Sequence, residues 1–177
     1  MRRKIREGRE RPGEEAEKVA DIVAVAALKY GDLSNQASKD YVFDIDRFTS
    51  FEGDTGPYIL YTIVRIKSIL SKYREQGGDM QKAVLREAGG DSEKALMMEL
   101  TKFNAMMMSA AEEIAPHKVC AYIYDLANAF NHFYHETKIL SEEDETRRDG
   151  LIALLMLTRD VLETCIDVLG FSAPDRM

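Results

Sequence analysis

Cysteine is nearly absent from this 177-residue chain; Cys120 and Cys165 are the two present, and both sit in predicted helices. Two thiols cannot build a disulfide scaffold, so a reduced, cytoplasmic protein is expected. No apolar run approaches the ~20 residues of a membrane-spanning helix, and no membrane role is expected. The opening Met1-Arg2-Arg3-Lys4-Ile5-Arg6 holds no apolar stretch and does not read as a secretory signal. A Gly-rich phosphate loop is missing, and no Ser/His/Asp or Cys/His arrangement stands out. A basic surplus is missing too. The net charge is -7 and the pI about 5.1, which argues against a general nucleic-acid coat with its basic footprint. Reading one exposed RNA loop needs only a local patch. The one plain basic run is Arg2, Arg3, Lys4, Arg6, Arg9 and Arg11, and residues 1–13 read as a linker or solvated start.

What is there is helical. Hydrophobic residues make up 45% and charged residues 31% of the chain, ordinary for one soluble domain with its own core. Glu14, Glu15 and Glu17 put acid at a helix N-terminus, where the dipole favours it, and Val19, Ile22, Val23, Ala26, Ala27 and Tyr30 follow at helical spacing. Tyr41-Val42-Phe43 reads as an extended segment and Gly53–Gly56 as a turn. Pro57 then suits the first position of a helix to about Tyr73, with Ile59, Ile63, Ile66 and Leu70 as its core stripe. Gly77-Gly78 ends it. Gly89-Gly90-Asp91-Ser92 is a loop with a good N-cap. One long helix is expected from Glu93 to Ala115, with Leu96, Leu100, Phe103, Met107, Ala110 and Ile114 on one face. Another starts at Pro116 and carries Val119, Ile123, Leu126, Phe130 and Phe133. A last one runs from Glu143 to Leu169 with Leu151, Leu154, Leu155, Leu157, Val161, Leu162 and Ile166 inside, and Gly170 as its stop. Short loops between long amphipathic helices give an all-α, antiparallel helical bundle.

Two constellations carry chemistry. On the Pro57 helix, Tyr58, Tyr61, Arg65, Ser68 and Lys72 fall within roughly 80° at the ~100° per residue of an α-helix. Aromatic faces stack on splayed bases while cations meet phosphates, so such a stripe suits single-stranded RNA. Its bland reading is half-buried tyrosines beside a solvated cationic face. On the helix after Pro116, Asn128, Asn131, His135 and Lys138 share the polar side, with Tyr134 at the boundary, where its ring packs and its hydroxyl stays wet. Tyr134 and Lys138 are spaced as i,i+4 neighbours. His132 and His135 are spaced to pinch a metal, but no Cys or carboxylate pattern completes a four-ligand site. The nine methionines read as deformable core filler. Glu112-Glu113 and Glu142-Glu143 diverge on their helices as surface charge.

Several stretches resemble arginyl-tRNA synthetases from about Val19 onward. Asp40-Tyr-Val-Phe-Asp44 and Ser50-Phe-Glu-Gly-Asp-Thr-Gly-Pro-Tyr58 look like that family's entry to its all-helical anticodon-binding domain. Cys120-Ala-Tyr-Ile-Tyr-Asp-Leu-Ala-Asn128-Ala-Phe-Asn131-His-Phe-Tyr134 resembles the domain's RNA-facing helix, and Pro174-Asp175-Arg176-Met177 its usual terminus. The resemblance implies a bundle of the class I aminoacyl-tRNA synthetase anticodon-binding type over 51–177, with 14–50 leading in from a catalytic domain. It implies tRNA-binding roles for Tyr58, Tyr61, Arg65, Asn131, Tyr134, Lys138 and Met177, the tyrosines as stackers and Arg65 and Lys138 near phosphates. Lys138 stands where some relatives place an aromatic, and Leu60 replaces a glutamine common in the family.

The family's whole enzyme uses ATP, with magnesium, to join arginine to its tRNA. Neither of its signature motifs, of the His-Ile-Gly-His and Lys-Met-Ser-Lys-Ser types, occurs here, so the chain reads as a C-terminal fragment with no cofactor of its own and no activity alone. The expected partners are arginine tRNA and the missing catalytic domain, with the chain itself a monomer. The rival reading is a protein-interaction module, an acidic, Met-rich bundle offering a groove to a partner helix. Salt separates the two, because RNA binding falls steeply with salt and an apolar groove does not.

Overall fold

Seven helices follow one another in this computed structural model, which describes residues 12–177. They are α1 (Pro12–Leu33), α2 (Ile45–Phe48), α3 (Gly56–Glu75), α4 (Asp91–Thr101), α5 (Phe103–Glu112), α6 (Pro116–Glu136) and α7 (Glu145–Val168). No strand forms among the described residues. The fold is therefore the all-α bundle that the periodicity predicts. The basic run at 2–11 lies outside the described residues. Tyr41-Val42-Phe43 is irregular, and the single turn α2 that follows has no counterpart in the sequence reading.

Helix α3 is the central element. It packs on α1, α6 and α7, which is why one of its faces is apolar over its whole length. Ile59, Ile63 and Ile66 have no exposed surface and Leu70 only 2%. Each such side chain contributes about 1.5–3 kcal/mol by leaving water. Thr55 caps the helix by accepting from the Tyr58 amide at 3.2 Å, a contact worth about 1 kcal/mol. Gly56 sits against the Ala26 carbonyl of α1 with no room for a Cβ. That contact lets α1 and the start of α3 close on each other. The buried Tyr30 hydroxyl completes the joint, within reach of the Asp54 carboxylate and 3.0 Å from the Cys120 carbonyl. Burial, and then Asp54, raise its pKa far above the ordinary tyrosine value.

Against α7, α3 runs antiparallel: Lys67 meets Glu163 at 2.9 Å and Tyr73 meets Asp149 at 2.6 Å. Against α6 it runs in the same direction, since the contacts advance together along both helices. The apolar sides of α6 and α7 are buried as the spacing predicts, including Ile123, Leu126, Phe130, Phe133, Leu151, Leu154 and Leu162.

Four expectations need correction. The helix expected over Glu93–Ala115 is two helices, broken at Lys102. Ile114 is not on the core face: the chain leaves the helix after Glu112, Ile114 takes a positive φ of 51°, and its side chain is 87% exposed. Leu157 is also outside the core, at 41% exposure. The cap of α4 is the extended Gly90, with no side-chain bond. Asp91 and Ser92 are already helical there, and the buried Glu93 carboxylate reaches back to the Gly89 amide at 2.9 Å. Gly170 does end the last helix, in the left-handed conformation at φ 80°, one step past the Leu169 cap.

Candidate functional site

The side-by-side run of α3 and α6 brings most of the residues singled out in sequence onto one face. Tyr58 donates from its hydroxyl to Asn128 Oδ1 at 2.7 Å and accepts from Asn131 Nδ2 at 2.9 Å. Asn131 Nδ2 also donates to Thr62 Oγ1 at 3.2 Å, and Thr62 in turn donates to the Tyr58 carbonyl at 3.0 Å. The other end of the Asn131 amide accepts from Arg65 Nη1 at 2.6 Å. Both ends of Asn131 are thus occupied, which fixes its orientation and locks α6 to α3.

Arg65 is the junction of this face. Its guanidinium lies over the Tyr61 ring, 4.7 Å from the centroid, and over the Tyr134 ring at 5.0 Å. Each cation–π contact contributes about 0.5–1 kcal/mol where exposed, and more where water is excluded. Arg suits this place because its planar fork donates to Asn131 while its faces meet rings, which a lysine ammonium cannot do. Tyr134 is itself stacked on the fully buried Phe130, with ring centroids 6.0 Å apart. The core therefore holds one side of Tyr134, and Arg65 ties it to Tyr61. Tyr61 is 43% exposed, so this chain of stacked groups ends in an open aromatic side chain. Tyr58 packs its ring at 5.9 Å from Tyr124.

The remaining two candidates stand apart. Lys138 is not on α6. That helix ends at Glu136 and Thr137 is extended, so the i,i+4 relation to Tyr134 does not exist, and Lys138 is an exposed loop residue. Ile139, next in the chain, is buried. Met177 lies off the α3–α6 face, in a groove of about 700 Å³ between α3, α7 and the C-terminal tail, where Ser68 and Lys72 of the tyrosine stripe also line the wall. Phe171 and Pro174 are buried and seat the tail. Lys67 holds it further, with Nζ 3.4 Å from the Ala173 and Pro174 carbonyls.

Sequence reasoning missed Thr62, Tyr124 and Lys67. Thr62 was findable, one turn beyond Tyr58 on the same stripe. Lys67 was not, because its partners are about a hundred residues away. Leu60, where the resemblance expects glutamine, is fully buried and faces the core. His132 and His135 are both exposed, with His132 Nε2 3.6 Å from Glu136 Oε1. Among the described residues no group of three or more His, Cys, Asp or Glu side chains is placed to hold a metal. None of the described helices is long and apolar enough to cross a membrane.

Comparison with known proteins adds an independent line. The DALR anticodon binding domain family matches residues 59–177. An arginine–tRNA ligase of Agathobacter rectalis is 67% identical over 165 residues, covering 92% of this chain and 28% of that protein. One from Alkaliphilus oremlandii is 49% identical, with the same two coverages. Among solved structures, arginyl-tRNA synthetase of Plasmodium falciparum superposes with a TM-score of 0.80 at 26% identity, and that of Thermus thermophilus with 0.77 at 30%. Each alignment covers 91% of this chain and 28% of the other. The chain thus spans little more than a quarter of the length of these relatives.

Proposed function

From the premise that this chain belongs to the DALR anticodon binding domain family, we propose that it binds the anticodon loop of an arginine tRNA through the joined face of α3 and α6. The observation that carries this reading is the chain of contacts Tyr61–Arg65–Tyr134, a stack open at Tyr61 and backed by the core at Phe130. An unpaired base stacks on such a surface without needing a basic protein overall, which reconciles RNA binding with a net charge of -7. Tyr58, Tyr61 and Tyr134 supply the ring faces. Arg65 and Asn131 hold them in register. Met177 and Lys138 approach the loop from the sides.

In this reading the RNA-binding domain covers 51–177, and 14–50 connects it to the catalytic part of a cytoplasmic arginine–tRNA ligase. ATP and magnesium act in that part, and this chain contributes the grip on the tRNA. Anticodon contacts then help place the acceptor end for ligation. The test is a titration of this chain with the anticodon stem-loop of an arginine tRNA and with the same stem-loop carrying a different anticodon. Tighter binding to the arginine loop supports the reading. Equal binding to both, or none to either, overturns it.

A further inference from the structure

The groove that holds Met177 carries charge of a kind the chain as a whole lacks. Two of its acids are ion-paired: Glu163 accepts from Lys67 at 2.9 Å and lies 3.7 Å from Arg159, and Asp175 lies 3.4 Å from Lys67, while Glu75 accepts from the Ser71 hydroxyl at 3.1 Å and keeps its charge. Three further cations line it with no carboxylate in ion-pair range among the described residues: Lys72, Arg74 and Arg176. All three are exposed. Arg74 has only a weak sulfur contact, to Met80 Sδ at 3.1 Å. So an acidic protein presents one groove in which cationic side chains outnumber acidic ones, Lys67, Lys72, Arg74, Arg159 and Arg176 against Glu75, Glu163 and Asp175. The groove also adjoins the aromatic face. Val64 and Ser68, the neighbours of Arg65 along α3, form its wall.

We propose that this groove is the track for the phosphodiester backbone of the RNA strand whose bases meet the α3–α6 face, with Lys72, Arg74 and Arg176 as the phosphate contacts. The inference rests on the RNA-binding reading above. It divides the work in two. The fork of Arg65 is taken up by Asn131 and two rings, so phosphate neutralisation falls to the groove. Spacing supports this: Arg65 and Lys72 are seven residues apart on one helix, about 10 Å at 1.5 Å per residue. One to two nucleotides of extended strand cover that distance. Lys67 serves the groove differently, by fixing the tail that brings Arg176 and Met177 to its rim.

Counterion release provides the readout. Each phosphate neutralised on a single strand contributes about 0.7 to the slope of log K against log salt. The chain would be titrated with the arginine tRNA anticodon stem-loop across a salt series, beside Lys72→Ala, Arg74→Ala, Arg176→Ala and the triple variant. Expected is a slope shallower by about 0.7 for each single change and by about 2 for the triple one, with affinity at low salt reduced at least ten-fold in the triple variant. Lys94→Ala, at an exposed cation of α4 outside the groove, keeps the full slope. All three side chains are exposed, and Lys72 and Arg74 lie in the last turn of α3, where a cation favours the helix end, so unfolding midpoints should fall only slightly and the titrations run well below them. If the triple variant keeps the slope and affinity of the unaltered chain, the groove is not the backbone track, while the α3–α6 reading stands. If the unaltered chain binds no RNA, both fall.

Discussion

Arg65 donates to Asn131 at 2.6 Å, and that bond joins two helices whose contacting residues are 66 apart in sequence. Asn131 spends its amide nitrogen on Tyr58 and Thr62, so its oxygen can only face Arg65. The two tyrosine rings then close on the guanidinium. A charged side chain that looks like a phosphate hook in sequence is thereby committed to organising aromatic groups.

This makes Arg65→Lys informative. Lysine keeps the charge and loses the planar fork. The expected result is RNA binding weaker by about 1 kcal/mol, roughly five-fold, because a compact ammonium cannot lie against both rings and donate to Asn131 at once, and about one cation–π contact is lost. If Arg65 acted only as a positive charge near phosphate, Arg65→Lys would bind as tightly as the unaltered chain in the same titration.

Tyr134→Ala removes the ring but leaves Phe130 in place beneath it. Binding should weaken by about 1–3 kcal/mol, the usual loss for one stacked base. The salt slope should stay the same, since no charge is lost. Unchanged affinity would remove Tyr134 from the binding surface.

The entry to α4 depends on a buried ion pair. Glu93 is 3% exposed and accepts from Arg147 Nη2 at 2.7 Å. Removing one partner leaves a buried charge uncompensated, at a cost of about 3–5 kcal/mol. Arg147 is partly exposed, so Arg147→Met should fall at or somewhat below the lower end of that range. Glu93→Met/Arg147→Met, which strands no carboxylate, should be less destabilised than Arg147→Met. Urea unfolding of the variants measures both differences. A double variant no more stable than Arg147→Met would contradict the account.

Tyr73 gives an alkaline signature. Burial first, and then its bond to Asp149, push its hydroxyl up to about 12 from an ordinary 10.0. The folded state therefore prefers the protonated ring. The associated stability is whole below pH 10 and is lost as pH rises from about 10 to about 12. Tyr73→Phe cannot ionise, so its stability should fall less over that interval than that of the unaltered chain. Parallel curves for the two proteins would show that Tyr73 does not ionise with the shift argued here.

Much of this was legible in sequence, for reasons visible in individual residues. Ile59, Ile63 and Ile66 repeat at helical spacing and all are buried; Pro57 and Pro116 mark helix starts. The face of Tyr58, Tyr61 and Arg65 was legible because one helix fixes their relative directions. That Asn131 and Tyr134 come to meet them is a tertiary fact, set by the parallel packing of α6 on α3, and periodicity carries no information on it. The break at Lys102 was hidden because Thr101, Lys102 and Phe103 are all tolerable in a helix. Ile114 misled for a related reason. It continues the apolar period, yet the chain turns before it, and a β-branched residue in the left-handed region is a conformation that spacing never suggests. Lys138 erred through the same extrapolation, past the helix end at Glu136.

RNA is proposed to meet the joined face of α3 and α6, and amide chemical-shift mapping tests this most directly. The arginine tRNA anticodon stem-loop would be added to isotope-labelled chain. The account predicts the largest shifts at Tyr58, Tyr61, Arg65, Asn131 and Tyr134, spreading to Lys72 and Met177. Shifts centred instead on the exposed Met98 of α4, Met108 of α5 and Ile114 just past α5 would contradict it.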